Sequence, residues 1–248
     1  MRGLIEKYRA FKQRRLLKKI TKASKLVKNA KAIKEDRWAA LEFLASLKDA
    51  EKTVLPLLER FEYSLEHGIL DTREKELALQ GIVDCGIEAI PSVKTHLKKT
   101  TKIAWPIKVI VKLGREQEVA EALKSALNFD DVAFDQLAVN KNYDILCYLR
   151  DYDLADFTDK IGHFLQDADE RVRFASVEVL IEQKNDLIPG MLEPYLIDDT
   201  PENRRIKQSI VQAFVANQWQ IKNKESFIDG KVADGFFLQQ DGRLVSRR

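Results

Sequence analysis

The sequence predicts an all-α fold: an α-α superhelix, or solenoid, of about five degenerate helix pairs, with a basic N-terminal helical arm and a small C-terminal β-hairpin. Three observations predict it. Helix formers dominate, and only 10 Gly and 6 Pro occur in 248 residues, too few turn residues for an all-β fold of this size. Amphipathic stretches of about a dozen residues recur, each opened by a start signal and closed by a short polar break. Starts at Thr72 and Ile103, and again at Asp167 and Thr200, stand 31 and 33 residues apart, a step that suits two helices and a turn.

The elements follow in order. Asp36 precedes WAALEFLASL and Asp49 precedes EKTVLPLLERF, each a carboxylate able to cap free backbone N–H groups. Asp71 and Thr72 open REKELALQGIVDCG, where Gly86 is the stop, and IEAIPSVKTHL follows with Pro91 in its first turn. Ile103 to Leu113, ended by Gly114, and Glu116 to Leu127 form a third pair. Shorter helices are expected over Ala133 to Val139 and Tyr143 to Leu149, then one over Leu154 to Leu165. In LQDADERVRFASVEVLIEQ, Leu165 to Gln183, Val172, Ala175, Val179 and Leu180 share one helix face while Arg171, Arg173, Glu178 and Glu182 point elsewhere. Asp186 to Leu196 completes that pair, and Thr200 and Pro201 open ENRRIKQSIVQAFVANQ. After residue 229 the composition shifts. Asp241 and Gly242 suit a tight turn between strands at Phe236 to Gln239 and Arg243 to Ser246, a hairpin that would cover the open end of the repeat array.

These boundaries give three segments: a basic arm over 1–34, a solenoid over 35–228 and a capping hairpin over 229–248. Charge divides along the first of them. Residues 1–34 hold thirteen Lys and Arg against the single acid Glu6, and the rest of the chain holds twenty-nine against thirty-eight. The arm is therefore expected to meet something anionic through Arg9, Lys12, Arg14, Arg15, Lys18, Lys19, Lys22 and Lys25. Nucleic acid, an anionic membrane surface, an acidic protein face and the protein's own acidic body all remain open. Ala23, Leu26, Val27, Ala30 and Ile33 share an arc of a helical wheel and predict a packed helix, whereas Leu4, Ile5, Tyr8, Phe11, Leu16 and Ile20 form a broader stripe interrupted by Arg15.

No catalytic constellation is visible. His67, His96 and His163 are scattered without the spacing of a zinc site, and the chain lacks a phosphate-binding glycine loop and a nucleophile elbow. The acidic run Asp167 to Glu170 lacks the glycine and distal glutamate of a calcium loop. No metal, cofactor or catalytic residue is expected, and Cys85 and Cys147 read as buried free thiols. With no signal segment and no apolar run long enough to span a bilayer, a cytoplasmic protein is expected.

The stretch LQDADERVRFASVEVL resembles the bacterial HEAT-repeat domain proteins in its order of Leu, Asp, acid, Val-Arg, Ala and Leu. LPLLERF, DTREKELALQGIVDCG, AWPIK and GFFLQQDGRLVSRR resemble a group of them more loosely. The resemblance implies a helical-repeat scaffold and transfers no catalytic residue. Three functions stay open: a non-enzymatic scaffold or adaptor that binds a protein along its curved surface, a nucleic-acid-binding protein using the arm, and a HEAT-like DNA glycosylase using an Asp beside Trp38, Trp105 or Trp219.

Overall fold

The computed structural model describes residues 2–130, 135–198, 200–227 and 230–246, with side chains from residue 6 onward. Helices dominate, and a small antiparallel sheet closes the chain. Contacts divide the chain into two units, Met1–Ala126 and Leu127–Arg248. Among the described residues no helix is long and apolar enough to cross a membrane.

The first unit contains α1 (Arg2–Lys28), α2 (Lys34–Ser46), α3 (Ala50–Leu58), α4 (Gly68–Val83), α5 (Ile90–Lys99), α6 (Ala104–Lys112) and α7 (Val119–Lys124). Helix α4 packs between α2 and α6, and α5 packs between α3 and α7, so alternate helices build two layers. Val54, Leu57, Leu58, Ile82, Val93, Leu97, Val109 and Ile110 are sealed between them. Asp49 caps α3 as expected, accepting from the Lys52 N–H at 3.1 Å. Asp71 does not cap. Helix α4 starts earlier, at Gly68 behind a long 3.4 Å bond from the Leu70 N–H to His67 Nδ1, so Asp71 lies in its first turn and points inward.

That inward carboxylate belongs to a buried charge network. Arg37 Nε lies 3.0 and 2.8 Å from the two carboxylate oxygens of Glu74, and Arg60 Nε donates to the same group at 2.7 Å. Arg60 also meets Asp71 at 2.7 Å, and Lys75 closes the cluster on Asp71 at 2.7 Å. Burial pushes the Asp71 carboxyl up, but hydrogen bonds from Lys75 and Arg60 outweigh it and hold the group below the usual carboxylate range. The network also grips the root of α1. The Tyr63 hydroxyl donates to the Val27 carbonyl at 2.6 Å, and Arg37 Nη1 reaches the carbonyls of Ala30 and Ala32.

The second unit contains α8 (Gln136–Leu149), α9 (Thr158–Gly162), α10 (Glu170–Ile181), α11 (Ile188–Leu192) and α12 (Arg204–Ala216), then β1 (Lys231–Ala233), β2 (Phe236–Leu238) and β3 (Leu244–Ser246). Helix α10 packs between α8 and α12, while short helices and 3-10 turns fill the other layer. Side-chain hydrogen bonds between residues about thirty positions apart run through it. Arg171 meets Asn140 at 3.0 Å, Ser209 meets Glu178 at 2.9 Å, Tyr195 meets the Leu165 carbonyl at 3.1 Å, and buried Gln183 accepts from the Leu154 N–H at 2.7 Å.

Several expected elements differ. The two short helices expected over Ala133 to Val139 and Tyr143 to Leu149 are one continuous α8, capped by Asp135 through the N–H groups of Leu137 and Ala138; Ala133 lies outside the described residues. The polar triplet Asn140, Lys141 and Asn142 reads as a break, yet Lys141 and Asn142 are buried, and the Asn142 amide satisfies both the N–H and the carbonyl of Asn128. The helix expected over Leu154 to Leu165 shrinks to α9 and a 3-10 turn. The expected hairpin exists as β2 and β3, with Phe237 opposite Val245 and Gly242 in its turn at φ +89°, and β1 adds a third strand on the other edge of β2. Strands β1 and β3 pack on α12.

Candidate functional site

Helix α1 carries every cation that the sequence singled out. Its 27 residues make a rod of about 40 Å at the α-helical rise. Only its C-terminal end packs. Ile20, Ala23 and Val27, spaced three and four apart, form a buried stripe against α2 and α3. From Glu6 to Lys19 every side chain is exposed except half-buried Leu16. The helix expected to reach Ile33 stops at Lys28, where Asn29 turns the chain through a 3.0 Å bond from the Lys31 N–H to its side chain. Ala30 and Ile33 are exposed in consequence, Ile33 at 66%.

Arg9, Lys12, Arg14, Arg15, Lys18, Lys19, Lys22 and Lys25 are all exposed, and among the described residues none makes an ion pair with a carboxylate. The arm's first ion pair is at its root, Lys28 with Glu59 at 3.0 Å. Two cations lie over aromatic rings of their own helix: Lys12 Nζ sits 5.0 Å from the Tyr8 ring centre and the Arg15 guanidinium 5.8 Å from that of Phe11. At about 100° per residue, Lys7, Arg14, Lys18 and Lys25 line the face opposite the buried stripe, Lys12 and Lys19 lie to one side of it, and Arg9 continues the line of the stripe itself, in register with Val27, beyond where the helix packs. Exposed Tyr8, Phe11 and Leu17 share no face, since Leu17 projects about 180° around the helix from Tyr8. Side chains of Leu4 and Ile5 lie outside the description.

Such an array does one kind of chemistry. Unpaired ammonium and guanidinium groups on a rigid rod attract closely spaced anions, and their mutual repulsion is relieved when those anions arrive.

The remaining candidate residues take part in packing. Trp105 stacks on Phe61 at 5.5 Å, Trp219 meets Phe214 edge-on at 5.4 Å, and Trp38 is half-buried. Cys85 is buried, with its thiol 3.3 Å from the Gly81 carbonyl. Cys147 is exposed, contrary to expectation, because Ile145, Leu146 and Leu149 turn the buried face of α8 away from it. His163 packs against Phe129 and Phe164, and His96 Nε2 lies 2.8 Å from Glu62. Sequence reasoning gave no role to Arg171 and Arg205. The second position of α10 and of α12 holds an arginine, a recurrence 34 residues apart that the repeat spacing would have exposed.

None of the family models, curated proteins or solved structures compared with this chain matches it significantly.

Proposed function

We propose that the protein is a helical-repeat adaptor of the HEAT kind, without catalysis of its own, in which stacked helix pairs form a solenoid that holds a protein partner. The observation that carries this reading is the recurrence of side-chain bonds across one repeat, from Asn140 to Arg171 and from Glu178 to Ser209. Side chains that repeatedly join one helix to its counterpart in the next repeat are the mark of a stacked array, and such arrays present long surfaces suited to partners. Two unpaired cysteines suit a reducing compartment, the cytoplasm. Photo-crosslinking residues placed at exposed Tyr148 and Gln208 should each yield one defined protein adduct in cells. Diffuse labelling from both positions would sink the reading.

A second contact, to nucleic acid, is favoured by the eight exposed cations of α1, none of which makes an ion pair among the described residues. Their distribution around the rod, and the lack of one apolar face among the described side chains of its exposed part, suit phosphate backbones better than a bilayer interface. The test is binding to labelled duplex and single-stranded DNA and RNA, and to anionic vesicles, across a salt series. Nucleic-acid binding that survives near-physiological salt supports the contact; binding to vesicles alone replaces it with a membrane contact.

A further inference from the structure

The face of the second unit made by α8, α10 and α12 carries a groove of about 330 Å³. Its walls include Tyr143, Arg150, Arg171, Phe174, Glu178 and Arg205. Two of the arginines lie over aromatic rings of the neighbouring helix. The Arg205 guanidinium sits 3.7 Å from the ring centre of Phe174, and Arg171 sits 5.6 Å from that of Tyr143. Stacking fixes the plane of a guanidinium, so much of the entropy cost of ordering the side chain is met before a ligand binds. The Arg171 fork is already held by Asp169, whereas the edge donors of Arg205 meet no carboxylate among the described residues.

The charges of the groove are unbalanced. Arg171 shares its donors between Asp169 and Asn140, and Arg150 has a loose 3.5 Å contact with Asp151. Glu178 is held by Ser209, and Arg205 makes no ion pair among the described residues. The lining thus holds three guanidiniums and one carboxylate, and since Asp169 and Asp151 stand beside Arg171 and Arg150, Arg205 is the one left without a carboxylate among the described residues. Packed helices stand about 8–10 Å apart, and carboxylates at alternate positions of an extended chain stand about 7 Å apart on one side. Side-chain reach covers the difference.

We propose that this groove binds an extended acidic segment of the protein partner, with one carboxylate on the free fork of Arg205 and a second, two residues away, drawn to the positive wall at Arg171 and Arg150. The assignment rests on the adaptor reading and deepens it by naming the partner's chemistry. The carboxylate at Arg205 accepts a pair of N–H bonds from its fork, which gives direction as well as charge.

The test uses the full chain and a fluorescent peptide with the core Glu-Ser-Glu, beside its Gln-Ser-Gln counterpart and a single-stranded oligonucleotide. The Glu peptide should bind, the Gln peptide should bind at least about tenfold more weakly, and R205Q should weaken the Glu peptide about tenfold. Exposed Cys147 lies in the same groove, so the Glu peptide should also slow its alkylation, while buried Cys85 stays unreactive in both states. R205Q breaks no ion pair among the described residues and removes only the stack on Phe174, so its thermal melt should fall slightly and leave the protein folded and the binding change interpretable. Equal binding of the two peptides, no binding of either, full binding by R205Q, or binding of the oligonucleotide alone overturns the proposal. If crosslinking from Tyr148 and Gln208 still captures one defined protein when R205Q is introduced, the groove assignment fails while the adaptor reading stands.

Discussion

Arg60 Nε lies 2.7 Å from Glu74 Oε2, and neither side chain has any exposure to solvent. The ions are not isolated, because Arg37 shares the same carboxylate and Asp71 and Lys75 extend the cluster. Burying a charge is costly unless its hydrogen bonds are met, and here the guanidiniums also reach backbone carbonyls of Ala30, Ala32 and Tyr63. Because those carbonyls include the turn after α1, the same contacts that hold the first unit together also hold the root of the basic helix.

Glu74→Gln should therefore destabilise the first unit by about 3–5 kcal/mol, the range for breaking a buried pair by removing one partner. Two arginines would be left facing a neutral amide. Urea unfolding followed by circular dichroism measures the change, and a loss under 1 kcal/mol would mean that water already reaches the cluster.

Acid should weaken the same unit in a defined direction. Asp71 is held below its ordinary carboxylate range, so its contribution is fully present above the unfolded value of about 3.9 and is lost as pH falls through its lower folded value. Stability measured between pH 6 and pH 2 should fall in the acid range, and Asp71→Asn should flatten part of that fall while lowering stability at neutral pH. An unchanged slope in the variant would assign the acid sensitivity to other carboxylates.

Much of the helical pattern was legible because apolar spacing and caps are local signals. Asp49 and Asp169 cap as their positions imply, and Gly86 and Gly114 take the positive φ of helix ends. Asp71 carries the same local signal and does something else: Lys75 is its i+4 neighbour, but Arg60, which draws it into the buried cluster, lies eleven residues away on another element. Asn142 failed for a similar reason: a polar residue reads as surface until the backbone that it satisfies is known. The exposed cations of α1 were legible from charge alone. The groove arginines were not, since their meaning depends on which ring of the neighbouring helix lies beneath each one.

Close helix packing gives a further test. A Cβ built on Gly81 of α4 would lie 2.6 Å from the Cβ of Ala45 and 3.0 Å from its Cα on α2. Backbone blocks that approach, so Gly81→Ala should force the two helices apart and cost about 1–3 kcal/mol despite alanine's better helix propensity. A thermal melt distinguishes the outcomes: a raised midpoint would mean that α2 and α4 separate freely.

The basic helix yields the last prediction. Deleting residues 1–19 removes Arg9, Lys12, Arg14, Arg15, Lys18 and Lys19 but retains Ile20, Ala23 and Val27, the stripe that packs. The truncated protein should keep its helical spectrum and lose most of its affinity for polyanions. In the full chain, replacing Arg14, Lys18, Lys22 and Lys25 with Gln should reduce the slope of log K against log salt by about 3 to 4 for duplex DNA, if each had neutralised one phosphate at about 0.9 per contact. Stability should barely move, because none of the four makes an ion pair among the described residues. A slope that stays unchanged with all four replaced would place the polyanion contact elsewhere on the protein. An equal loss of affinity and of fold would instead show that the exposed half of α1 is held by interactions that its open, unpaired surface does not imply.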